Sequence, residues 1–416
     1  MTSNYKKIGD FIRLVDLRNT ELEVETLLGL SISKKFIPSV ANTIGTNMAN
    51  YKIIKKGQFA CSLMQVRRDK KIPVSLQNDF DEAIISQAYP VFEVIDTSQI
   101  IPEYLMMWMS RSEFDRHACF LAVGGVRGSL EWDDFCDMEL PIPSIAKQRE
   151  IVCEYNVVKD HIALNEKITQ KLEDTAKTIY KRWFIDFDFP ISKKYAESIG
   201  KAELEGQPYQ SSGGEIEYCE HIETYIPKEW GNISFTQLFN LGGGGTPSTV
   251  VPEYWNDDVF FFTGRDIKKC YYTLTTEKSI SNLGLKKSST KLYPKNTTFI
   301  VSRGATTGAT ALAGTEMAMN QSCYAVVSNN ETYYFAHQTT LNLIERIKKS
   351  IFSGAIFNAL VTKDFDEQFL PNPPIAIRKE FQKLVKPLYV VLDQVSQENS
   401  ININLNALIL SKMSKA

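Results

Sequence analysis

Two stretches of this chain place apolar residues at alternating steps of four and three. The first runs through Ile151, Tyr155, Val158 and Ile162, turns polar at Asn165 and Thr169, and resumes at Leu172, Ala176, Ile179 and Trp183. The second runs through Phe381, Leu384, Leu388, Val391 and Val395, turns polar at Glu398 and Asn402, and resumes at Leu405 and Ile409. This is a heptad seam with a polar break near its middle. No proline falls between Pro143 and Pro190, whereas Pro387 interrupts the second stretch and is expected to kink or loosen it. A helix of about 40 residues is about 60 Å long. A lone helix of this kind cannot bury its seam, so the two are expected to pack on each other, with the polar positions fixing register and orientation.

The remaining sequence has a different rhythm. Short runs rich in β-branched and aromatic residues read as strands: Phe11–Ile12, Tyr51–Ile54, Gln58–Leu63 and Tyr89–Val94, then Val259–Phe262, Thr297–Ser302 and Ser322–Val327. A helical pattern closes each group, at Tyr104–Arg116 after Pro102 and at Phe335–Ser350. Each group reads as a mixed α+β unit of ordinary domain size. Between the first long helix and the second unit, Pro190, Gly200, Gly206, Pro208 and Ser211-Ser212-Gly213-Gly214 have linker chemistry.

The layout is a duplication. Residues 134–150 align without a gap on residues 364–380, and eight of the 17 positions are identical. At the same offset Gly124 meets Gly354 and Leu130 meets Leu360. Ser86-Gln87-Ala88-Tyr89 resembles Asn320-Gln321-Ser322-Cys323-Tyr324 at a slightly different spacing. An internal repeat governs the fold more than any local motif does.

Composition then narrows the function classes. The 416 residues are 43% hydrophobic and 23% charged, which excludes a disordered or fibrous chain. A formal net charge of −2 excludes a globally basic coat for nucleic acid while leaving local basic patches open. No apolar run approaches the roughly 20 residues of a spanning helix, and the N-terminal residues lead into no signal core. Seven cysteines without a Cys-x-x-Cys pair and four scattered histidines argue against a disulfide framework and a zinc site. A reducing cytoplasmic location is the expectation.

Three candidate catalytic or ligand motifs are weak. Asn372-Pro373-Pro374-Ile375 resembles the amine-binding tetrapeptide of amino-methyltransferases, but Ile375 offers no ring to stack on a flipped base. It also aligns with Ile142-Pro143-Ser144-Ile145, so a structural turn is the favoured reading. The glycine run Gly242–Gly245 lacks the spacing of a nucleotide loop and reads as a flexible turn. Asp186 and Asp188 read as a solvated helix end rather than a metal site.

Basic clusters are more suggestive because each half has them. The first half holds Lys52, Lys55, Lys56, Arg67, Arg68, Lys70 and Lys71, with Arg127 among glycines. The second holds Arg265, Lys268, Lys269, Lys286 and Lys287, with Arg303, Thr306 and Thr307 in another glycine-flanked loop. An arginine beside glycine can approach DNA closely and offer a bidentate fork to guanine or phosphate. Lysine adds phosphate affinity without reading sequence.

Several ordered segments make a resemblance. They are Leu140-Pro141-Ile142-Pro143-Ser144 with Gln148-Arg149-Glu150-Ile151-Val152, and Tyr180 to Pro190. To these are added Pro208 to Gly214, Gly244 to Ser248, Arg303 to Gly308 and Met319 to Ser322. With the two-copy layout, they resemble the specificity subunit of type I restriction–modification enzymes over essentially the full length. The resemblance implies an α+β fold: two mixed target-recognition domains joined by two long helices packed as an antiparallel coiled coil, with a pseudo-two-fold internal repeat. The implied recognition domains are residues 1–143 and 225–372, the spacer helices 144–185 and 373–416, and the linker 186–224. Each domain would read one half of a bipartite double-stranded DNA site, and the helices would set the gap. Two methyltransferase subunits would dock on this scaffold and supply S-adenosylmethionine chemistry. Restriction–translocase subunits would supply ATP, Mg and cleavage. No cofactor, metal or catalytic residue is expected in this chain, and no membrane partner. The alternatives are a DNA adenine methyltransferase acting on its own through Asn372 to Ile375, and a protein scaffold without a DNA role.

Overall fold

The computed structural model describes residues 5–39, 46–124, 128–228, 230–267, 271–351 and 359–415. They form two compact units, residues 1–161 with 402–416 and residues 162–401.

The first unit contains β1 (Tyr5–Lys7), β2 (Ile12–Val15), β3 (Leu28–Leu30), β4 (Phe36–Pro38), β5 (Lys52–Lys55), β6 (Phe59–Cys61), α1 (Val66–Asp69), β7 (Val74–Leu76), β8 (Glu82–Ile85) and β9 (Val91–Val94). It continues through α2 (Pro102–Met109), α3 (Ser112–Leu121), α4 (Trp132–Asp137) and β10 (Glu139–Pro141) into the long α5 (Ile145–Phe184). Its main sheet has the order β2-β9-β6-β7, and all pairs are antiparallel. β6 reads Phe-Ala-Cys and is buried on both faces, which explains why it lacks strict alternation. Phe59 and Phe92 stack at 5.0 Å in the core beneath it. The helix expected over Tyr104–Arg116 is two helices. The chain turns at Ser110 and Arg111, where the Arg111 guanidinium lies 4.2 Å from the Trp108 ring centroid.

The second unit contains α6 (Lys193–Ser198), β11 (Ile216–Cys219), β12 (Thr224–Pro227), β13 (Asn232–Ser234), α7 (Phe235–Leu238), β14 (Asn240–Gly243), β15 (Val259–Phe262), β16 (Tyr272–Thr273), β17 (Lys278–Ile280) and α8 (Asn282–Lys286). It continues through β18 (Thr298–Val301), β19 (Thr310–Ala313), β20 (Ala318–Met319), β21 (Cys323–Val327), α9 (Tyr333–Ile351), α10 (Thr362–Asp366) and β22 (Phe369–Pro371) into α11 (Ile375–Lys412). Its main sheet has the order β14-β21-β18-β19-β16.

The two units repeat one topology. β14-β21-β18-β19 has the strand order and antiparallel pairing of β2-β9-β6-β7. β1 pairs with β10 through Tyr5↔Pro141, and β13 pairs with β22 through Asn232↔Pro371. The duplicated Phe135 and Phe365 are fully buried in the equivalent helices α4 and α10. β3 pairs with β4 and bridges in parallel to β8, as β15 pairs with β17 and in parallel with β20. The segments Ser86–Tyr89 and Asn320–Ser322 both lie just before the equivalent strands β9 and β21.

Within the second unit the two long helices run antiparallel. Asn165 meets Asn399, while Tyr180 and Trp183 meet Phe381. In α5 the expected seam is buried at Ile151, Val158, Asn165, Thr169, Ala176 and Trp183. In α11 the expected seam is shifted. Leu384 and Val391 are exposed, and Val385, Tyr389 and Leu392 are buried instead. The cause is a second packing surface. Tyr389 stacks on Tyr334 of α9 at 3.8 Å and accepts a hydrogen bond from Gln338, so this half of α11 is turned toward its own unit's core. α11 stays helical through Pro387, which is exposed.

Residues 186–224, where the composition is that of a linker, carry α6, β11 and the start of β12. Phe189 stacks on Tyr209 at 4.7 Å and on Trp230 at 5.0 Å, and all three rings are buried.

Candidate nucleic-acid interface

In the first unit, three loop segments meet around α1. The chain leaving β6 enters α1, which presents Arg67 and Arg68 to solvent, followed by exposed Lys70 and Lys71. Leu130 N donates to Leu63 O at 2.9 Å and draws the glycine segment onto this loop. Arg67 Nη1 donates to Gly124 O at 3.1 Å. Gly128 has a φ of +39°, and a Cβ there would lie 2.7 Å from the Arg67 side chain, so only glycine fits this approach. Arg68 is turned onto Asp69 through Nε and Nη2 at 2.7 and 3.2 Å. The third segment is the turn Ser31–Lys34 after β3. Lys34 Nζ pairs with Asp115 Oδ1 of α3 at 2.8 Å, and both side chains are about nine-tenths buried. The same oxygen accepts from Ile72 N at 3.1 Å, so this ion pair anchors the far end of the basic loop. Burial pulls the Lys34 pKa below its ordinary value, against the pull of the Asp115 carboxylate.

The second unit repeats this convergence with different chemistry. The loop leaving β18 carries Arg303, Thr306 and Thr307, and Leu360 N donates to Ser302 O at 2.8 Å. That bond is the counterpart of Leu130 to Leu63. Thr307 folds inward, its Oγ1 donating to Gly304 O at 2.7 Å, while Arg303 and Thr306 remain exposed. The turn Thr263–Asp266 follows β15 as Ser31–Lys34 follows β3. A Cβ on Gly264 would lie 3.3 Å from Val301 Cγ1 and 3.4 Å from Thr306 Oγ1, so the two loops touch. Arg265, exposed at the tip of the turn, is thereby brought beside the Thr306 loop.

Other basic residues lie elsewhere. Lys55 ends β5 and pairs with Glu82 of β8 at 2.8 Å, and Lys56 follows in an exposed turn. Lys286 and Lys287 are exposed at the end of the short helix α8. Arg127, Lys268 and Lys269 lie outside the described residues. Three participants escaped the sequence reading. Lys348 of α9 donates to Gly308 O at 3.1 Å and packs against that loop. Lys34 sits in a Lys34-Lys35 pair and Asp115 between Glu113 and Arg116, and nothing in the sequence shows that these two of the charges are buried against each other. The Lys348-Lys349 pair was a usable signal, hidden because it ends a helix rather than a loop.

The motifs with possible chemistry take structural roles. Asn372 N donates to Gly231 O, and the Pro373 and Pro374 carbonyls accept from Arg378, so this tetrapeptide is the turn that opens α11. The glycine run ends the edge strand β14 at Gly243, and it is packed tightly at Gly242, Gly244 and Gly245 rather than being a flexible turn. A Cβ on Gly244 would lie 2.1 Å from Asn320 O, and one on Gly242 would lie 2.3 Å from the Tyr293 hydroxyl. Asp186 pairs with Lys181, and Asp188 accepts from Ser211 N and Oγ. Among the described residues no group of His, Cys, Asp or Glu is placed to hold a metal, and no helix is long and apolar enough to cross a membrane. His337 is buried between Thr298 Oγ1 and Tyr271 OH, at 3.0 and 3.1 Å, and burial drives its pKa down to about 3.

Comparison with known proteins agrees with this architecture. Residues 227–406 match the family described as "Type I restriction modification DNA specificity domain". The HindI specificity subunit of Haemophilus influenzae is 24% identical over 401 residues, covering 87% of this chain and 86% of that protein. The MjaIX specificity subunit of Methanocaldococcus jannaschii is 27% identical over 202 residues, covering 47% of this chain and 45% of that one. Among solved structures, the S subunit of a type I restriction–modification system from M. genitalium aligns over 98% of this chain and 95% of its own, with a TM-score of 0.53 and 13% identity. The matches bear out the resemblance carried by the ordered motifs: the relatives that this chain is similar to are specificity subunits of type I restriction enzymes. A methyltransferase acting on its own is not favoured.

Proposed function

We propose that this chain, which resembles type I restriction–modification specificity subunits through both of its halves, is the noncatalytic DNA reader of such a complex. The observation that carries the reading is the repeated loop convergence. Leu130 to Leu63 and Leu360 to Ser302 close the same contact in two copies of one topology, and exposed arginines stand beside it both times. Each unit reads one half of a bipartite duplex site. Arg67 and Arg265 are the best placed to meet base edges. Arg68, Lys70, Lys71, Arg303 and Lys348 contribute phosphate contacts, which position without reading sequence.

The paired helices α5 and α11 set the gap between the halves. Their exposed apolar positions, among them Val157, Leu164, Leu384, Ile401 and Leu408, receive two methyltransferase subunits. S-adenosylmethionine, ATP and Mg act in the methyltransferase and restriction–translocase subunits. The complex works on chromosomal and incoming DNA in the cytoplasm. Co-purification with a methyltransferase subunit, followed by methylation of a duplex library, tests this directly. Methylation confined to a split motif supports the reading, and methylation without sequence preference refutes it.

A further inference from the structure

Asp266 lies buried at the foot of the turn after β15, and among the described residues no cation faces its carboxylate. Hydrogen bonds satisfy it instead. Oδ2 accepts from Thr263 N and from Thr263 Oγ1, both at 2.8 Å, and Oδ1 accepts from Glu277 N at 2.7 Å. Thr263 Oγ1 in turn accepts from Arg265 N at 3.3 Å, and Asp266 N donates to Thr263 O at 3.0 Å. A buried carboxylate with three donors is held far more rigidly than a solvated loop requires. What it immobilises is the backbone of Arg265, whose exposed guanidinium makes no hydrogen bond or ion pair with a described residue.

The first unit shows the same plan with the charge reversed. Lys34 N donates to Ser31 O at 3.0 Å, and the fourth residue of that turn, Lys34, is again a buried charge tied off inside the protein. The third residue is Ser33 where the second unit has Arg265. The anchor is therefore common to both turns, and the tip differs.

Resting on the DNA-reading role above, we propose that the turn Thr263–Asp266 is a specificity-determining element of the second unit. Arg265 reads a base pair, and Asp266 is the positioning residue that aims it. Preorganisation is what distinguishes a base-reading fork from a phosphate-seeking one. A phosphate tolerates a mobile cation, whereas a bidentate contact to a guanine edge needs a fixed approach.

The test uses the chain assembled with its methyltransferase subunits, on a duplex pool varied at every base pair of both half-sites. Arg265→Ala is expected to lower discrimination at one base pair of one half by roughly 5- to 150-fold, the equivalent of one lost bidentate contact, and to leave the other half unchanged. Asp266→Asn is expected to give the same base-pair pattern at smaller size, and to add little when combined with Arg265→Ala. A purely structural role predicts losses spread over both halves and additive with Arg265→Ala, which would overturn the assignment. Should Asp266→Asn fail to assemble, Arg265→Ala decides alone: a uniform loss at all positions marks a phosphate contact and ends the proposal. A parent complex that methylates without sequence preference would instead bring down the DNA-reading role itself.

Discussion

Asn165 of α5 donates its side-chain amide to Asn399 Oδ1 of α11 at 3.0 Å, and both residues are buried in the helix seam. The same amide nitrogen reaches Glu398 Oε2 at 3.0 Å. A polar pair in an apolar seam weakens the association but admits only registers that bring the partners together. Truncating one partner leaves a buried amide unsatisfied. Asn165→Leu or Asn399→Leu alone should cost about 1–3 kcal/mol. The double Leu variant should recover most of that loss, because the buried amide pair is removed together and only the half-buried Glu398 carboxylate loses a donor. Urea unfolding of the four proteins checks this, with the singles less stable than the double.

The anchor of the first unit's basic loop gives a second expectation. Lys34 and Asp115 are both buried, and removing one partner strands the other. Lys34→Met should destabilise by about 3–5 kcal/mol, and Lys34→Met with Asp115→Leu should recover much of that loss. Thermal unfolding at fixed pH reads both.

Two groups of the second unit should respond to pH with opposite signs. His337 has a folded pKa of about 3 because it is buried, so the unfolded chain takes up a proton near pH 6.5 that the folded chain refuses. Its contribution is intact above that pH and is lost as pH falls toward 3, at a slope of about 1.4 kcal/mol per unit. Replacing His337 with Gln should remove one proton from the slope between pH 6 and 4.

Glu173 of α5 is raised to about 7, chiefly by burial and secondarily by Asp174. Here the folded chain holds a proton that the unfolded chain releases near pH 4.5, so stability falls as pH rises from there through 7. Glu173→Gln should stabilise the protein at pH 8 and have little effect at pH 4. Equal effects at both pH values would contradict this.

How much of this was legible in the sequence depended on whether the tertiary packing kept a segment's heptad positions in the core. The α5 seam could be read because its heptad positions Ile151, Val158, Asn165, Ala176 and Trp183 are the buried ones, even though Tyr180 also meets Phe335 and Thr339 of α9. In α11 the stack of Tyr389 on Tyr334 competes with the helix pair, and the buried set shifts to Val385, Tyr389 and Leu392. The duplication exposed the repeated closure at Leu130 and Leu360, because those residues share an offset. It hid the repeated turns, because Ser31–Lys34 and Thr263–Asp266 share a place in the topology and no residue identity. Gly244 was misread for a related reason. A glycine run signals freedom, yet here it signals crowding by the Asn320 and Met319 carbonyls.

The crowding at Gly244 makes a further prediction. A Cβ there would lie 2.1 Å from Asn320 O and 2.5 Å from Met319 O, both backbone atoms that cannot swing aside. Gly244→Ala should lower stability by about 1–3 kcal/mol, the range for forced overpacking. Gly57→Ala, where no atom lies within 4 Å but φ is +86°, should cost only the smaller backbone strain. Melting temperatures of the two variants rank them.

The proposed function gives each unit its own half of a split DNA site to read. Genome-wide mapping of adenine methylation addresses it, in cells with the gene, without it, and with the second unit's residues 225–372 exchanged for those of another specificity subunit. Deletion is expected to abolish methylation at one motif of two short halves around a fixed gap, and the exchange is expected to rewrite one half while the other half and the gap persist. Methylation that is unchanged by deletion, or an exchange that alters both halves together, would contradict it.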